Sequence, residues 1–303
     1  MKYAFLFLFA MNALFAAGDP LPSWNDGKAK QAILYFVHAS NKFLPPENRI
    51  ATFDQDGTLW VEHPLYAQAS FALDRLKAMG KELPENKPID KLTEHDWEEI
   101  IATTHAGMST EEFQAIVREW LVKARHPRFK QPYTSLVYQP MIEVLTLLRE
   151  NGFKTYICTG GGQEFVRVFS QAVYGISPEQ VVGSSCATRY EYRDGKPILF
   201  RLPKLFFDNN NAGKAIGINL FIGKQPAVSF GNSDGDKEML EWTKTLKMLV
   251  HHDDPVREYA YGPDTHVGTF SQALMDDAKS RGWIVISMKN DWKQIFSFEQ
   301  PTE

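Results

Sequence analysis

The chain has 303 residues, 44% hydrophobic and 23% charged, with a formal net charge of −4. That balance suits a well-buried protein of one large domain, or one domain with an insert. It argues against a nucleic-acid partner, which calls for a basic face.

The chain begins with Lys2, an apolar stretch from Tyr3 to Ala17, and small residues before Asp19. This pattern predicts a signal peptide over residues 1–18, cleaved near Ala16 to Gly18. About 15 apolar residues fall short of a membrane span, so no stable membrane insertion is expected after cleavage. The protein is therefore expected to be exported, into the periplasm if the cell is bacterial.

Next, "KAKQAILYFVHASNKF" carries helical spacing through Ile33, Phe36, Val37 and Phe43, and Pro45-Pro46 stops it. The apolar run "RIATF" reads as a buried strand and leads straight into "DQDGTLW". Residues 64–135 show helical patterns and little strand signal, which predicts an all-helical insert. Within it Thr110 stands as a helix cap before Glu111 and Glu112.

From about residue 139 the pattern alternates. The helix "PMIEVLTLLRENG" leads to the strand "KTYICT", then three glycines, the helix "QEFVRVFSQAVYG" and the strand "QVVGSS". A hairpin follows, turning at Asp194-Gly195. Then come the helix "NNNAGKAIGINL", strand "AVSFG", helix "DKEMLEWTK", strand "LKMLVHH", helix "SQALMDDAKSRG" and strand "WIVISM". Apolar strands separated by helices predict an α/β fold with a doubly wound parallel sheet, formed by 19–63 and 136–303. The two cysteines, Cys158 and Cys186, fall on segments that read as neighbouring strands. A disulfide is permitted in an exported protein, but two free thiols are the expected state.

Ligands of such sheets bind beyond the carboxyl ends of the strands. Four chemically loaded groups fall there. Asp54 and Asp56 follow the first strand, Thr159 and Gly160 to Gly162 end the second, and "GNSDGD" follows a later one. Lys214 heads a helix shortly before that loop. Two carboxylates one residue apart repel unless a cation neutralises them, and hard oxygen donors suit Mg²⁺. A carboxylate can also act as a nucleophile, with its neighbour as general acid and base. A calcium loop fails on spacing, because counting from Asp54 puts Leu59 at position 6 and Leu65 at position 12. Glycine amides at a helix start favour an anion. Trp60 and His63 read chiefly as packing residues, and "VHHDD" at 250–254 reads as a solvated loop.

Asp54-Gln55-Asp56-Gly57-Thr58, the later strand-end Thr159, Lys214 and the acidic loop together resemble the haloacid dehalogenase (HAD) superfamily, in its phosphoserine-phosphatase-like branch. The resemblance implies a HAD-like Rossmannoid core with a helical cap domain inserted at 64–135. It implies that Asp54 is phosphorylated and that Asp56 serves as acid and base. Thr159 and Lys214, with Gly160 and Gly161, would bind the phosphoryl group. Mg²⁺ would be held by Asp54, the Asp56 carbonyl, Asn232 and Asp236. Asn232 stands where the family usually has Asp, and Asp234 is a further oxygen donor in the same loop. The implied activity is hydrolysis of a small-molecule phosphate ester, a metabolite that the helices of the insert do not name. Phosphotransfer or mutase chemistry on the same intermediate, and a periplasmic binding protein that lost turnover, are the alternatives.

Overall fold

The computed structural model describes residues 18–299. The predicted signal peptide lies outside these residues, apart from Gly18. Among the described residues, no helix is long and apolar enough to cross a membrane.

Helix α1 (Lys28–Phe43) buries Ala29, Ile33, Phe36 and Val37 along one face, as its spacing requires. Strand β1 (Ile50–Phe53) is buried at all four positions, the mark of a central strand covered on both faces. Three helices follow, α2 (Ala67–Ala78), α3 (Glu94–His105) and α4 (Thr110–Lys123), and none of the strands falls in this stretch. The chain then returns through α5 (Gln139–Glu150) to β2 (Lys154–Gly162). Short helices α6 (Gln163–Val166) and α7 (Ser170–Tyr174) precede β3 (Val181–Arg193) and β4 (Lys196–Phe207). The rest is α8 (Ala212–Gly217), β5 (Val228–Gly231), α9 (Lys237–Trp242), β6 (Leu246–His251), α10 (Gln272–Ser280), β7 (Ile284–Ser287) and α11 (Met288–Asp291).

The seven strands form one sheet in the order β4-β3-β2-β1-β5-β6-β7. All pairs are parallel except β3 with β4. Phe53 stands opposite both Ile157 and Phe230, and its ring stacks on that of Phe230 at 4.7 Å. The sequence passes from β1 to β2 on one side and later to β5 on the other. The carboxyl end of β1 is thus the switch point where such sheets open a crevice. The α2–α4 segment packs over that end. Phe71 of α2 meets Phe113 of α4 at 5.8 Å and Phe165 of α6 at 5.5 Å. One apolar cluster therefore runs from the sheet into the inserted helices.

Several local expectations change. The cap of α4 is Ser109, not Thr110: Ser109 and Glu112 exchange side-chain and backbone hydrogen bonds, and Thr110 is the first helical residue. The single helix expected over 163–175 is two short ones. Gly160 to Gly162 extend β2 instead of opening a helix. The Asp194-Gly195 turn is present, with both residues at positive φ, as a two-residue hairpin turn needs. Strand β4, however, runs on through Pro203 to Phe207. Proline is tolerated there because β4 is the sheet edge. The extended hairpin reaches the inserted segment, where Gly107 donates to the Arg201 carbonyl and Arg201 to that of Met108, both at 2.9 Å. Cys158 and Cys186 are free.

Candidate active site

Asp54 is the first residue past β1, and Lys214 rises from α8 beside it. The Lys214 ammonium donates to Asp54 Oδ1 and to Asp236 Oδ1, each at 2.5 Å, and to the Cys158 carbonyl at 3.0 Å. All three side chains are buried. Burial alone would drain the ammonium of its proton. Asp236 and Asp54 outweigh that and raise its pKa. Burial and then the charge of Asp236 push the Asp54 carboxyl up, while Lys214 holds it down.

Asp56 lies two residues on, partly open to the cavity. Its Oδ1 accepts from Trp60 Nε1 at 2.7 Å. Burial pushes its carboxyl up to about 6, with the Trp60 donor pulling the other way. The chain can turn so sharply because Gly57 sits at φ 75°. The turn is closed by the Gly57 amide donating to the Trp60 carbonyl at 2.9 Å. Trp60 is thus packed, as expected, with its ring stacked on Phe169 at 4.7 Å, and it also holds the second carboxylate.

Thr159 is buried in β2, three residues before its end, its hydroxyl accepting from Gly161 N at 3.0 Å. A Cβ added to Gly161 would lie 3.7 Å from Asp56 Oδ2, so this strand end faces the two carboxylates. The Gly162 amide is taken by Gln68 Oε1 of α2 at 2.7 Å. Gly160 lines the same cavity against Asn210.

The acidic loop divides its labour. Asp236 Oδ2 accepts from the amides of Asn232 at 2.9 Å and Ser233 at 3.1 Å, so both carboxylate oxygens are engaged within the protein. Asp234 turns away to accept from Ser271 Oγ at 2.8 Å. Asn232 is buried with its amide between Thr58, which donates to Oδ1 at 3.0 Å, and Glu62, which accepts from Nδ2 at 2.7 Å. Burial pushes the Glu62 carboxyl well up, against the Tyr261 hydroxyl that donates to it.

The donor set fits a hard divalent cation. Asp54 and Asp236 share one ammonium, with Asp56 on the same cavity, leaving oxygen donors in excess of the one cation present. Among the described residues no group of three or more His, Cys, Asp or Glu side chains is arranged as a metal cage. Mg²⁺ does not ask for one: it is bound through one or two carboxylates and otherwise keeps neutral oxygens and water.

Several contributors escaped the sequence reading. His252 and Glu258 are buried, with Nδ1 sharing a hydrogen bond with Glu258 Oε2 at 3.0 Å. The segment "VHHDD" is therefore no solvated loop: His252 and Asp254 are both buried, because the return from β6 packs beneath the Asp56-Gly57 turn. Asn209 donates to the Thr159 carbonyl at 2.9 Å. No local spacing signals any of these. His63, by contrast, is the structural residue expected, bonded to the Val267 carbonyl and stacked on Tyr261.

These groups open into a cavity of about 1330 Å³. Its floor is Asp54, Asp56, Thr159 and Lys214, and its far wall includes Trp97, Phe113 and Arg201. The arrangement can present a buried carboxylate to an electrophile beside a fixed ammonium, with a second, raised carboxyl within reach.

No curated protein matches the chain. Among solved structures, a protein of unknown function from Bordetella pertussis Tohama I is 20% identical over 79% of this chain and 98% of its own, with a TM-score of 0.50. A functionally unknown protein from Anaerococcus prevotii DSM 20548 is 17% identical over 84% and 88%, with a TM-score of 0.53. A phosphoserine phosphohydrolase-like protein from Francisella tularensis subsp. tularensis SCHU S4 is 17% identical over 67% and 88%, at a TM-score of 0.40. The family model described as haloacid dehalogenase-like hydrolase matches residues 51–241, which include most of β1, Lys214 and the acidic loop. With the parallel sheet and the strand-end carboxylates, that match over more than half of the chain makes the protein a member of the haloacid dehalogenase-like hydrolase family.

Proposed function

We propose that the protein is a Mg²⁺-dependent phosphatase of small phosphate monoesters, working through an aspartyl-phosphate. The observation that carries this reading is the Lys214 ammonium 2.5 Å from Asp54, with Asp56 two residues further along the same cavity.

In this reading Asp54 attacks phosphorus and the ester P–O bond breaks. Asp56 gives its proton to the departing oxygen. The Asp56 carboxylate then takes a proton from water, whose oxygen attacks phosphorus and frees Asp54. A carboxyl raised to about 6 is suited to exchanging a proton in both directions near neutral pH. Lys214 and the Thr159 hydroxyl hold the phosphoryl oxygens, and positioning and charge do most of the work in phosphoryl transfer. Asp54, the Asp56 carbonyl and Asn232 are the residues that would hold Mg²⁺, and Asp236 anchors Lys214 and the loop. When bound, the cation neutralises charge on the transferring group. Residues 64–135 serve as the cap that excludes water and selects substrate. The apolar N-terminal stretch supports export with removal of residues 1–18, which intact-mass measurement of the mature protein tests.

Phosphate release from p-nitrophenyl phosphate is expected with Mg²⁺ and not with a chelator. No release at any Mg²⁺ concentration would overturn the proposal. Screening phosphorylated metabolites would then identify the ester.

A further inference from the structure

Glu62 is a carboxylate that neither the nucleophile nor the proton-transfer step uses, yet it is buried at the heart of the site. One of its oxygens, Oε1, accepts from Asn232 Nδ2 at 2.7 Å and from the Tyr261 hydroxyl. It cannot move aside. Tyr261 is itself wedged between His63 and His252, with ring centroids at 3.8 and 4.4 Å. A Cβ at either Gly57 or Gly268 would overlap the Glu62 carboxylate, so the backbone closes on it from two sides.

The consequence lies in the Asn232 amide. An amide can be turned over, exchanging its oxygen for its NH₂, unless partners of unlike character fix both ends. Thr58 fixes one end as an acceptor, and it is a weak fixer because a hydroxyl either donates or accepts. The Glu62 carboxylate oxygen, shared with a phenol donor, fixes the other end as NH₂. We propose that Glu62 is a positioning residue that locks the Asn232 amide with its oxygen presented to the cation site. This rests on the reading of Asn232 as a Mg²⁺ ligand. Removing such an orienting partner typically costs about 10- to 100-fold in metal affinity.

The proposal also says why asparagine stands at 232. An aspartate there would set a carboxylate oxygen against Glu62 Oε1, where the donor now lies at 2.7 Å. Aspartate at 232 therefore calls for a hydrogen-bond donor at 62, which a glutamine amide supplies.

The experiment is a calorimetric titration of full-length mature protein and variants with MgCl₂, without substrate, beside thermal melts of each variant. E62Q keeps an acceptor oxygen and is expected to bind Mg²⁺ within about threefold of wild type. E62L, which keeps bulk but no acceptor, is expected to bind about 10- to 100-fold more weakly. N232D is expected to bind more weakly than wild type. N232D/E62Q is expected to recover most of the loss, because the glutamine amide can donate to the new carboxylate. A merely structural glutamate would not make a substitution at 62 repair one at 232. Tight binding by N232D alone, or wild-type affinity in E62L, overturns the inference and leaves the phosphatase reading standing. Absence of any Mg²⁺ binding by wild type overturns both. Should E62L fail to fold, the N232D and N232D/E62Q pair decides the question.

Discussion

His252 Nε2 donates to the carbonyl oxygen of Gly57 across 2.7 Å, joining residues 195 positions apart. The sharp turn that separates Asp54 from Asp56 is thus held from beneath by the loop after β6. Glu258 holds the other side of the same imidazole, and the Tyr138 hydroxyl donates to Glu258 in turn. Together they determine where Asp56 stands.

Replacing His252 by Phe would fill the space but leave Glu258 and the Gly57 carbonyl without their partner. Breaking a buried pair of this kind costs about 3–5 kcal/mol. A urea titration should show that loss, and phosphate release should fall further than the loss of folded protein explains. An unchanged midpoint in urea would show that the tether contributes nothing.

Asp54→Asn preserves the shape of the proposed nucleophile and leaves an acceptor for Lys214. Turnover is expected to fall at least about 10³-fold, while the melting temperature changes little. Wild-type-like phosphate release by this variant would remove the covalent route.

Trp60→Phe removes the donor that restrains the Asp56 carboxyl. Without it the pKa of Asp56 rises above about 6, and the protonated form persists to higher pH. The basic limb of the pH profile of kcat/KM is expected to move upward in pH. A limb that stays in place, or moves down, would show that Asp56 is not the acid whose ionisation limits the rate.

His105 ends α3, buried against Phe71 and Phe113, with Gln68 Nε2 donating to its Nε2 at 3.1 Å. Burial, then the charges of Arg201 and Arg75, push the imidazole down to about 3. Between its ordinary 6.5 and about 3 the unfolded chain binds a proton that the folded chain refuses. Stability is therefore lost as the pH falls through that window, by an amount on the order of a few kcal/mol. Urea unfolding at pH 7 and pH 4.5 should show a smaller acid loss in His105→Asn than in wild type. Equal losses would mean that other groups carry the acid sensitivity.

Much of the fold was legible because its signals are local. Short, mostly apolar runs such as 50–53 and 228–231 read as strands buried on both faces, and helical stretches between them favour parallel pairing. The rule that ligands bind at strand ends then brings Asp54, Thr159 and the 232–236 loop to one edge, with Lys214 beside them. The edge strand was harder to see, because Pro203 breaks the strand pattern and only the place of β4 at the sheet margin makes it harmless.

The sequence by itself determined which reactive groups are present, since two carboxylates one residue apart and a later lysine are properties of residue types at fixed spacing. Only the tertiary structure decided how those groups are held. Glu62 meets Asn232, His252 meets Gly57 and Asn209 meets Thr159 across separations of 170, 195 and 50 residues. Hydrophobic periodicity reports which face of an element is buried. It carries no information on which polar partner a distant segment brings to that face, and that pairing is what orients each side chain of the site.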